Sequence, residues 1–244
     1  MPMVRVNDIN MYYELGGEGE PLVLIPGLAS DVADNQPIVR LLTKKCRVLA
    51  LDNRGAGRTD KPDAPYSIEM MADDAAALMD VAGLKQANVL GISMGGRIAM
   101  ALALRHPEKV KSLVLVSTSA RAVWRPGRVR MLNVANRIPG LGSLLNKYPQ
   151  PQYAFERQLK ASRSYDCSGR LGEIRVPTLV LHGADDRTAP LGLAEEMHAG
   201  IRGSQMITFP GGHIFFLMKQ EKFCAAVVDF LSGIDRQGPA PGNF

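Results

Sequence analysis

Short apolar runs recur along the chain at intervals that suit buried strands. Five of them are rich in Val, Leu and Ile: PLVLI (21–25), RVLAL (47–51), NVLGI (88–92), SLVLV (112–116) and TLVLH (178–182). Runs that are apolar at nearly every position are typical of strands covered on both faces, as in a parallel sheet. The sequence therefore predicts a mostly parallel sheet.

Helical patterns alternate with these runs. Two apolar stripes have three- and four-residue spacing: Met71, Ala75, Leu78 and Met79 in one, and Phe223, Val227, Phe230 and Leu231 in the other. Alternating strands and helices predict an α/β fold with helices on both faces of the sheet. The opening VRVNDINMYYEL differs, because partial alternation around Asn7 and Asp8 predicts an antiparallel hairpin at one sheet edge.

The interval 119–170 breaks the strand–helix rhythm. It mixes short apolar and basic pieces with Pro126, Gly127, Pro139, Gly140, Gly142, Pro149 and Pro151. We expect a core domain made of residues 1–118 and 171–235, an inserted lid over 119–170 and a flexible tail over 236–244. A chain of 244 residues is compatible with one such domain.

Composition is ordinary for a soluble globular protein, with 46% hydrophobic and 22% charged residues. The N-terminus lacks the pattern of a signal peptide, and no uncharged apolar run is long enough to span a bilayer, so a cytoplasmic location is expected. Cys46, Cys167 and Cys224 are odd in number and lack metal-ligand spacing, which argues against a disulfide framework or a zinc site.

The formal charge of +5 is unevenly distributed. Residues 121–163 hold nine Lys and Arg against the single Glu156. This basic segment suits steering of anionic substrates or adhesion to an acidic surface, and ordinary solvated helix faces explain it equally well. Since no nucleic-acid motif accompanies it, no nucleic-acid partner is expected.

The stretch Gly91-Ile92-Ser93-Met94-Gly95 places a serine where a buried strand turns into a small, apolar helix. A tight strand-to-helix turn forces strained backbone angles on the serine and lifts its hydroxyl clear of the sheet. The flanking glycines let strand and helix approach closely. The helix N-terminus that follows favours anionic intermediates.

This G-x-S-x-G stretch resembles the nucleophile elbow of the α/β-hydrolase family. Further resemblances follow in the family's order: LIPGLAS to the oxyanion loop, LDNRGAGRTDKP to the loop after strand four, HGADDRTAP to the acid loop and GGHIFF to the histidine loop. The resemblance implies an α/β-hydrolase fold of about eight strands with a short helical lid. It is strongest to the small bacterial enol-lactonase and esterase branch.

A serine nucleophile needs a base, and the base needs a third group to orient it. His213 follows two glycines after the apolar segment SQMITF and precedes a terminal helix, which matches the family's base. The other three histidines are interpreted as structural: His106 as a residue that helps to cap a helix end, and His182 at a strand end and His198 within a helix as satisfied residues.

Two adjacent carboxylates compete for the role of catalytic acid. The family pattern G-x-x-D-x-x-x-P, laid on residues 183–190, selects Asp186 and leaves Asp185 as a solvated or turn-stabilising carboxylate. The reversed assignment stays open at this point. The order Ser93, Asp186, His213 is the one expected for this fold.

The backbone N–H of Met94 is expected to serve as one oxyanion donor, and the resemblance implies the N–H of Leu28 as the other. Pro26 stands where many members of the family have histidine; because the donors are main-chain groups, this change need not abolish the hole. Trp124, Leu144 and Tyr148 are predicted to line the substrate pocket, although packing of the lid onto the core explains them as well.

Two other motifs are weaker indications of a functional site. RGAGRTD lacks the third glycine of a dinucleotide fingerprint and the Gly-Lys-Ser/Thr ending of a nucleotide-binding loop, so a tight turn is the better interpretation. Asp73 and Asp74 lack calcium-loop spacing and are interpreted as part of a solvated helix face.

These observations favour a serine hydrolase of carboxylic esters or lactones that works through an acyl-enzyme on Ser93. The resemblance leaves carbon–carbon bond hydrolysis, thioester hydrolysis and cofactor-free perhydrolysis open, while the serine argues against relatives that use aspartate as nucleophile. A non-catalytic ligand-binding member of the fold is the alternative from another class. We expect a small-molecule ester or lactone as partner, and neither a cofactor nor a metal; the sequence leaves the oligomeric state open.

Overall fold

The structure is a computed structural model that describes residues 3–122 and 147–237. Its strands are β1 (Met3–Val6), β2 (Ile9–Gly16), β3 (Glu20–Ile25), β4 (Cys46–Leu51), β5 (Ala87–Ile92), β6 (Val110–Val116), β7 (Thr178–Gly183) and β8 (Gln205–Phe209). They form one sheet in the order β1-β2-β4-β3-β5-β6-β7-β8. All pairs from β4 to β8 are parallel, and only β1–β2 and β2–β4 are antiparallel. The predicted mostly parallel sheet of about eight strands is confirmed.

Helices cover both faces of this sheet. Those in the described residues are α1 (Gln36–Leu42), α2 (Ile68–Val81), α3 (Met94–Arg105), α4 (Gln152–Ser164), α5 (Leu191–Gly200), α6 (Phe215–Met218) and α7 (Gln220–Gln237). One apolar cluster packs α2, α3 and α5 on one face, and a second packs α1 and α7 on the other. Each fully buried large aliphatic or aromatic side chain contributes roughly 1.5–3 kcal/mol to this core.

The longest helix of the described part, α7, packs its apolar side chains into the same core cluster as α1. Phe223 and Val227 on its apolar stripe are completely buried, as their spacing predicts. No helix in the described ranges combines the length and apolarity needed to cross a bilayer. The three cysteines are also buried in the core with free thiols.

The predicted N-terminal hairpin is present. Val6 pairs with Ile9 across a two-residue turn in which Asn7 has a φ of 51°, a conformation that asparagine tolerates better than most residues. Asp8, the other turn residue, accepts hydrogen bonds from the guanidinium of Arg54. The hairpin is thereby tied to the loop that follows β4.

The hydrogen bonds of the Arg54 guanidinium overturn one prediction from the sequence. Asp74 is 1% exposed, and both of its carboxylate oxygens accept from Arg54, so its assignment to a solvated helix face is wrong. A carboxylate tolerates such burial only when a charge and hydrogen bonds compensate it. Asp73 remains partly exposed and pairs with Arg105 and His106 instead.

Candidate active site

Ser93 lies on the sharp turn between β5 and α3. Its φ of 55° and ψ of −116° are strained for a residue with a side chain. The turn is so tight that a Cβ on Gly91 would lie 2.3 Å from the Gly95 carbonyl oxygen, and one on Gly95 would lie 2.1 Å from that of Ile25. Only glycine fits at these two positions, which is the physical reason for the G-x-S-x-G spacing.

Backbone hydrogen bonds hold Ser93 in this conformation from both sides. Its N–H donates to the Val116 carbonyl at 2.8 Å. Its own carbonyl accepts from the N–H of Gly96 at 3.0 Å and from the hydroxyl of Thr118 at 2.6 Å. The strain is therefore sustained by the ends of β6 and α3.

His213 stands between a hydroxyl and a carboxylate. Its Nε2 lies 3.0 Å from Ser93 Oγ, and its Nδ1 lies 2.7 Å from Asp186 Oδ2. The loop that carries His213 is anchored on each side by aromatic packing, since the rings of Phe209 and Phe215 stack at 4.8 Å. Residues separated by up to 120 positions thus meet at the carboxyl ends of the parallel strands.

Asp186, rather than Asp185, faces the histidine. Asp186 is 4% exposed, and its Oδ1 accepts from the N–H groups of Thr188 at 2.7 Å and Ala189 at 3.0 Å. Burial opposes ionisation, but the hydrogen bond and charge of His213 outweigh it and keep the pKa of Asp186 below its usual value. Asp185 is exposed, as the pattern over residues 183–190 predicts.

The loop after β3 packs directly against the serine. A Cβ on Gly27 would lie 3.3 Å from Ser93 Cβ, so this loop lies beside the nucleophile. The carbonyl of Pro26 accepts from the buried amide of Asn53 at 3.0 Å, a side-chain clamp that the sequence analysis missed. On the other side Met94 begins α3, where a backbone N–H has no carbonyl in a preceding turn to bond.

A second histidine, His182, lies behind the acid loop. It is completely buried, with Nε2 2.8 Å from the Ala189 carbonyl and 3.5 Å from Asp186 Oδ2. Burial lowers its pKa, which keeps the ring neutral at pH 7. Its Nδ1 has no hydrogen-bond partner within the described ranges, so the predicted satisfied role holds for one ring nitrogen only. In the sequence His182 is marked only by its position at the end of an apolar run, which does not indicate its closeness to Asp186.

The other two histidines pair locally. His106 Nε2 lies 2.8 Å from a carboxylate oxygen of Asp73, and His198 Nδ1 lies 2.8 Å from the hydroxyl of Ser204. The contact of His198 fits its predicted structural role. His106 occupies the C-cap position of α3, but its ring bonds to Asp73 on α2 and not to the helix end.

Of the predicted pocket residues, Trp124 and Leu144 lie outside the described residues. Tyr148 is half-buried, and the guanidinium carbon of Arg58 lies 4.5 Å from the centre of its ring. A cation over an aromatic face stabilises the packing of this segment on the core. Substrate binding by these three residues stays a prediction.

The described part of the basic segment is partly neutralised from within. Arg121 forms a two-pronged pair with Glu196 on α5, and Arg157 pairs with Asp63. These two charges therefore have partners inside the chain, which favours the solvated-face interpretation at these positions.

Comparison with known proteins agrees with this architecture. A family model described as the alpha/beta hydrolase fold matches residues 20–152. The chain belongs to this family. The fold class, the elbow and the strand-end loops described above are consistent with that membership.

Two sequence relatives and one solved structure illustrate the range of proteins to which this chain is similar. RutD of Azorhizobium caulinodans, which carries the name of a carbamate hydrolase, is 29% identical over 97% of this chain and 100% of its own length. YisY of Bacillus subtilis, an AB hydrolase superfamily protein, is 31% identical over 91% of this chain and 95% of its own. The enol-lactonase from Burkholderia xenovorans superposes with a TM-score of 0.86 at 28% identity, covering 95% of this chain and all of that one. Hydrolysis is the activity that such relatives support.

Proposed function

We propose that the protein is a serine hydrolase that cleaves carboxylic esters or lactones through an acyl-enzyme on Ser93. The observation that carries the proposal is the position of one imidazole, 3.0 Å from the Ser93 hydroxyl and 2.7 Å from the Asp186 carboxylate. A hydroxyl so placed gives up its proton as it attacks a carbonyl, and the carboxylate stabilises the imidazolium that results.

Each proton has a place in the proposed sequence of steps. Ser93 Oγ bonds to the carbonyl carbon while its proton moves to Nε2 of His213, and the carbonyl oxygen becomes an oxyanion facing the N–H groups of Leu28 and Met94. His213 then protonates the leaving oxygen as the carbon–oxygen bond breaks, which leaves the acyl-enzyme. In a lactone this new alcohol stays tethered to the acyl group.

Water completes the cycle by the same path. His213 takes a proton from the water that attacks the acyl carbon, and returns it to Ser93 Oγ as the acid is released. Each fixed oxyanion donor is worth about a hundred- to a thousandfold in rate in such reactions. The proposed donors and the triad therefore contribute separately to the rate.

The test is a panel of p-nitrophenyl esters and lactones of graded chain length, with fluorophosphonate labelling as a direct probe of the serine. We expect turnover and labelling in the wild type, and a fall in kcat on the order of 10⁵- to 10⁶-fold in Ser93→Ala. The Asp185→Asn variant is the matched control and should stay within about twofold of wild type, because that carboxylate is exposed.

Other substrates in the same assay separate the alternatives. Faster cleavage of carbamates, as the name of one relative suggests, or of a carbon–carbon bond keeps the triad but replaces the ester assignment. Binding without turnover of any substrate, unchanged in Ser93→Ala, would overturn the enzyme proposal in favour of a ligand-binding member of the fold.

A further inference from the structure

A buried amide on α4 contacts the loop that carries one proposed oxyanion donor. Gln158 is completely buried, and its Oε1 accepts from the N–H of Ala29 at 3.2 Å. Its Nε2 donates to the carbonyl of Arg54 at 2.7 Å. One side chain therefore joins the loop after β3 to the loop after β4, across sequence separations of 129 and 104 residues.

The contacted peptide belongs to a strained turn. The N–H of Ser30 donates to the Gly27 carbonyl at 3.3 Å, and Ala29, the third residue of this turn, has a φ of 56°. A hydrogen bond between the first and the fourth residue of a turn, together with a positive φ at the third, defines a type II turn. This type of turn normally has glycine at the third position. For a residue with a Cβ this conformation is disfavoured by roughly five- to thirtyfold.

The strained turn sets the direction of the Leu28 N–H. In a trans peptide the carbonyl and the N–H point to opposite sides. The Gly27 carbonyl is held by Ser30, so the N–H of Leu28 in the same peptide points away from that bond. Asn53 fixes the peptide before it through the carbonyl of Pro26, and the Ala29 N–H in the peptide after it bonds to the buried amide on α4.

We infer that Gln158 is a positioning residue for the oxyanion hole, holding the strained turn at Ala29 so that the Leu28 N–H stays aimed; the inference rests on the proposed function. Without this amide the N–H of Ala29 loses its bond to Gln158, so the strained turn that carries the Leu28 N–H is held less rigidly.

The central variant is Gln158→Met, which keeps the length of the side chain and removes its hydrogen bonds. We expect kcat on the best ester of the panel to fall about tenfold to a hundredfold, with KM within about threefold, since the oxyanion forms only in the transition state. Fluorophosphonate labelling should slow by the same factor. Gln152→Met makes the same change on the same helix, at a residue that bonds to Glu156, and should stay within about twofold of wild type.

Two changes at Ala29 test the turn itself. Ala29→Gly removes the penalty for positive φ, so in the Gln158→Met background it should restore kcat about fivefold or more. Ala29→Pro removes the N–H and forbids the conformation without altering α4, and should lose at least as much activity as Gln158→Met. If Gln158→Met does not fold, the proline variant decides: unchanged kcat there overturns the inference.

Amide hydrogen exchange gives a readout that needs no turnover. The Ala29 N–H should exchange at least about tenfold faster in Gln158→Met than in wild type, with no such change in Gln152→Met. Unchanged exchange, unchanged kcat or no rescue by Ala29→Gly would each overturn the positioning role. If the wild type cleaves no ester while the Ala29 exchange still depends on Gln158, the proposed function fails and the clamp on the turn stands.

Discussion

Asp52 and Asp186 occupy comparable places but differ in what their second oxygen meets. Asp52 follows β4, Asp186 follows β7, and both are almost completely buried. Each accepts two backbone hydrogen bonds: Asp52 from Val32 and Arg58, and Asp186 from the turn just after it. In Asp52 this uses both oxygens, whereas in Asp186 it uses one and leaves the other for His213.

This difference shifts the pKa values of the two carboxyls in opposite directions. Burial raises the pKa of Asp52, and the nearby Asp31 adds to the effect despite the two N–H donors. Burial acts on Asp186 in the same sense, but His213 outweighs it and its pKa is lowered. Burial at a strand end therefore does not make a carboxylate fit to orient a base. The deciding feature is which group the second carboxylate oxygen contacts, and in Asp186 that group is His213.

The largest expected effect is on the rate. In Asp186→Asn the new NH₂ faces Nδ1 of His213 and holds the wrong tautomer, so kcat should fall about 10³- to 10⁴-fold. Asp52→Asn should lower kcat less than tenfold, because that carboxylate bonds to the backbone of Val32 and Arg58 and not to the histidine. Steady-state kinetics of the two variants on one ester decide this. Equal losses would remove the distinction between the two sites.

For stability, we expect the larger loss from Asp52→Asn and the smaller one from Asp186→Asn. An asparagine at 186 keeps an oxygen for the N–H groups of Thr188 and Ala189, so the free energy of unfolding should fall by less than about 1 kcal/mol. An asparagine at 52 must turn its NH₂ toward a backbone N–H, which leaves a buried donor unpaired and should cost about 1–3 kcal/mol. Urea unfolding at pH 7 measures both. A larger loss at 186 than at 52 would contradict the assigned hydrogen bonds.

The smallest expected effect is an opposite pH dependence. The raised pKa of Asp52 means that its contribution to stability is fully present below the unfolded value near 3.8 and is lost as pH rises through the folded pKa. The lowered pKa of Asp186 means that its contribution is present above 3.8 and is lost as pH falls through the folded pKa.

The destabilisation by Asp52→Asn should therefore shrink as pH rises from about 3.8, and that by Asp186→Asn should shrink as pH falls below it. Unfolding free energies measured across this acidic range give both slopes. Slopes of the same sign would show that the two carboxyls titrate alike.

Local sequence patterns predicted what local geometry determines. The hairpin at Asn7, the elbow at Ser93 and the helix stripe at Phe223 each depend on residues a few positions apart, so spacing alone located them. The order of apolar runs predicted the sheet because consecutive buried strands joined by helices have few ways to pack. The preference for Asp186 over Asp185 came from the family pattern over residues 183–190, and in the structure Asp186 is the one that faces His213.

Local sequence patterns did not predict the contacts between loops that are distant in the sequence. The adjacent Asp73 and Asp74 predict a solvated helix face, yet the guanidinium of Arg54, 20 residues away in the sequence, pairs with Asp74. Gln158 and Asn53 are ordinary polar residues in their own segments, and only the folded loops reveal what they hold. No local pattern marks Gln158, whose partners Ala29 and Arg54 lie more than a hundred positions away.

The elbow has a consequence for synthesis. All strands and helices that shape the turn at Ser93 lie before residue 119, whereas His213 arrives almost a hundred residues later. A nascent chain stalled between these points would carry Ser93 without the histidine proposed as its base, and we expect it to resist the fluorophosphonate. Acquisition of labelling during translation would then report the moment at which the last loop closes on the sheet.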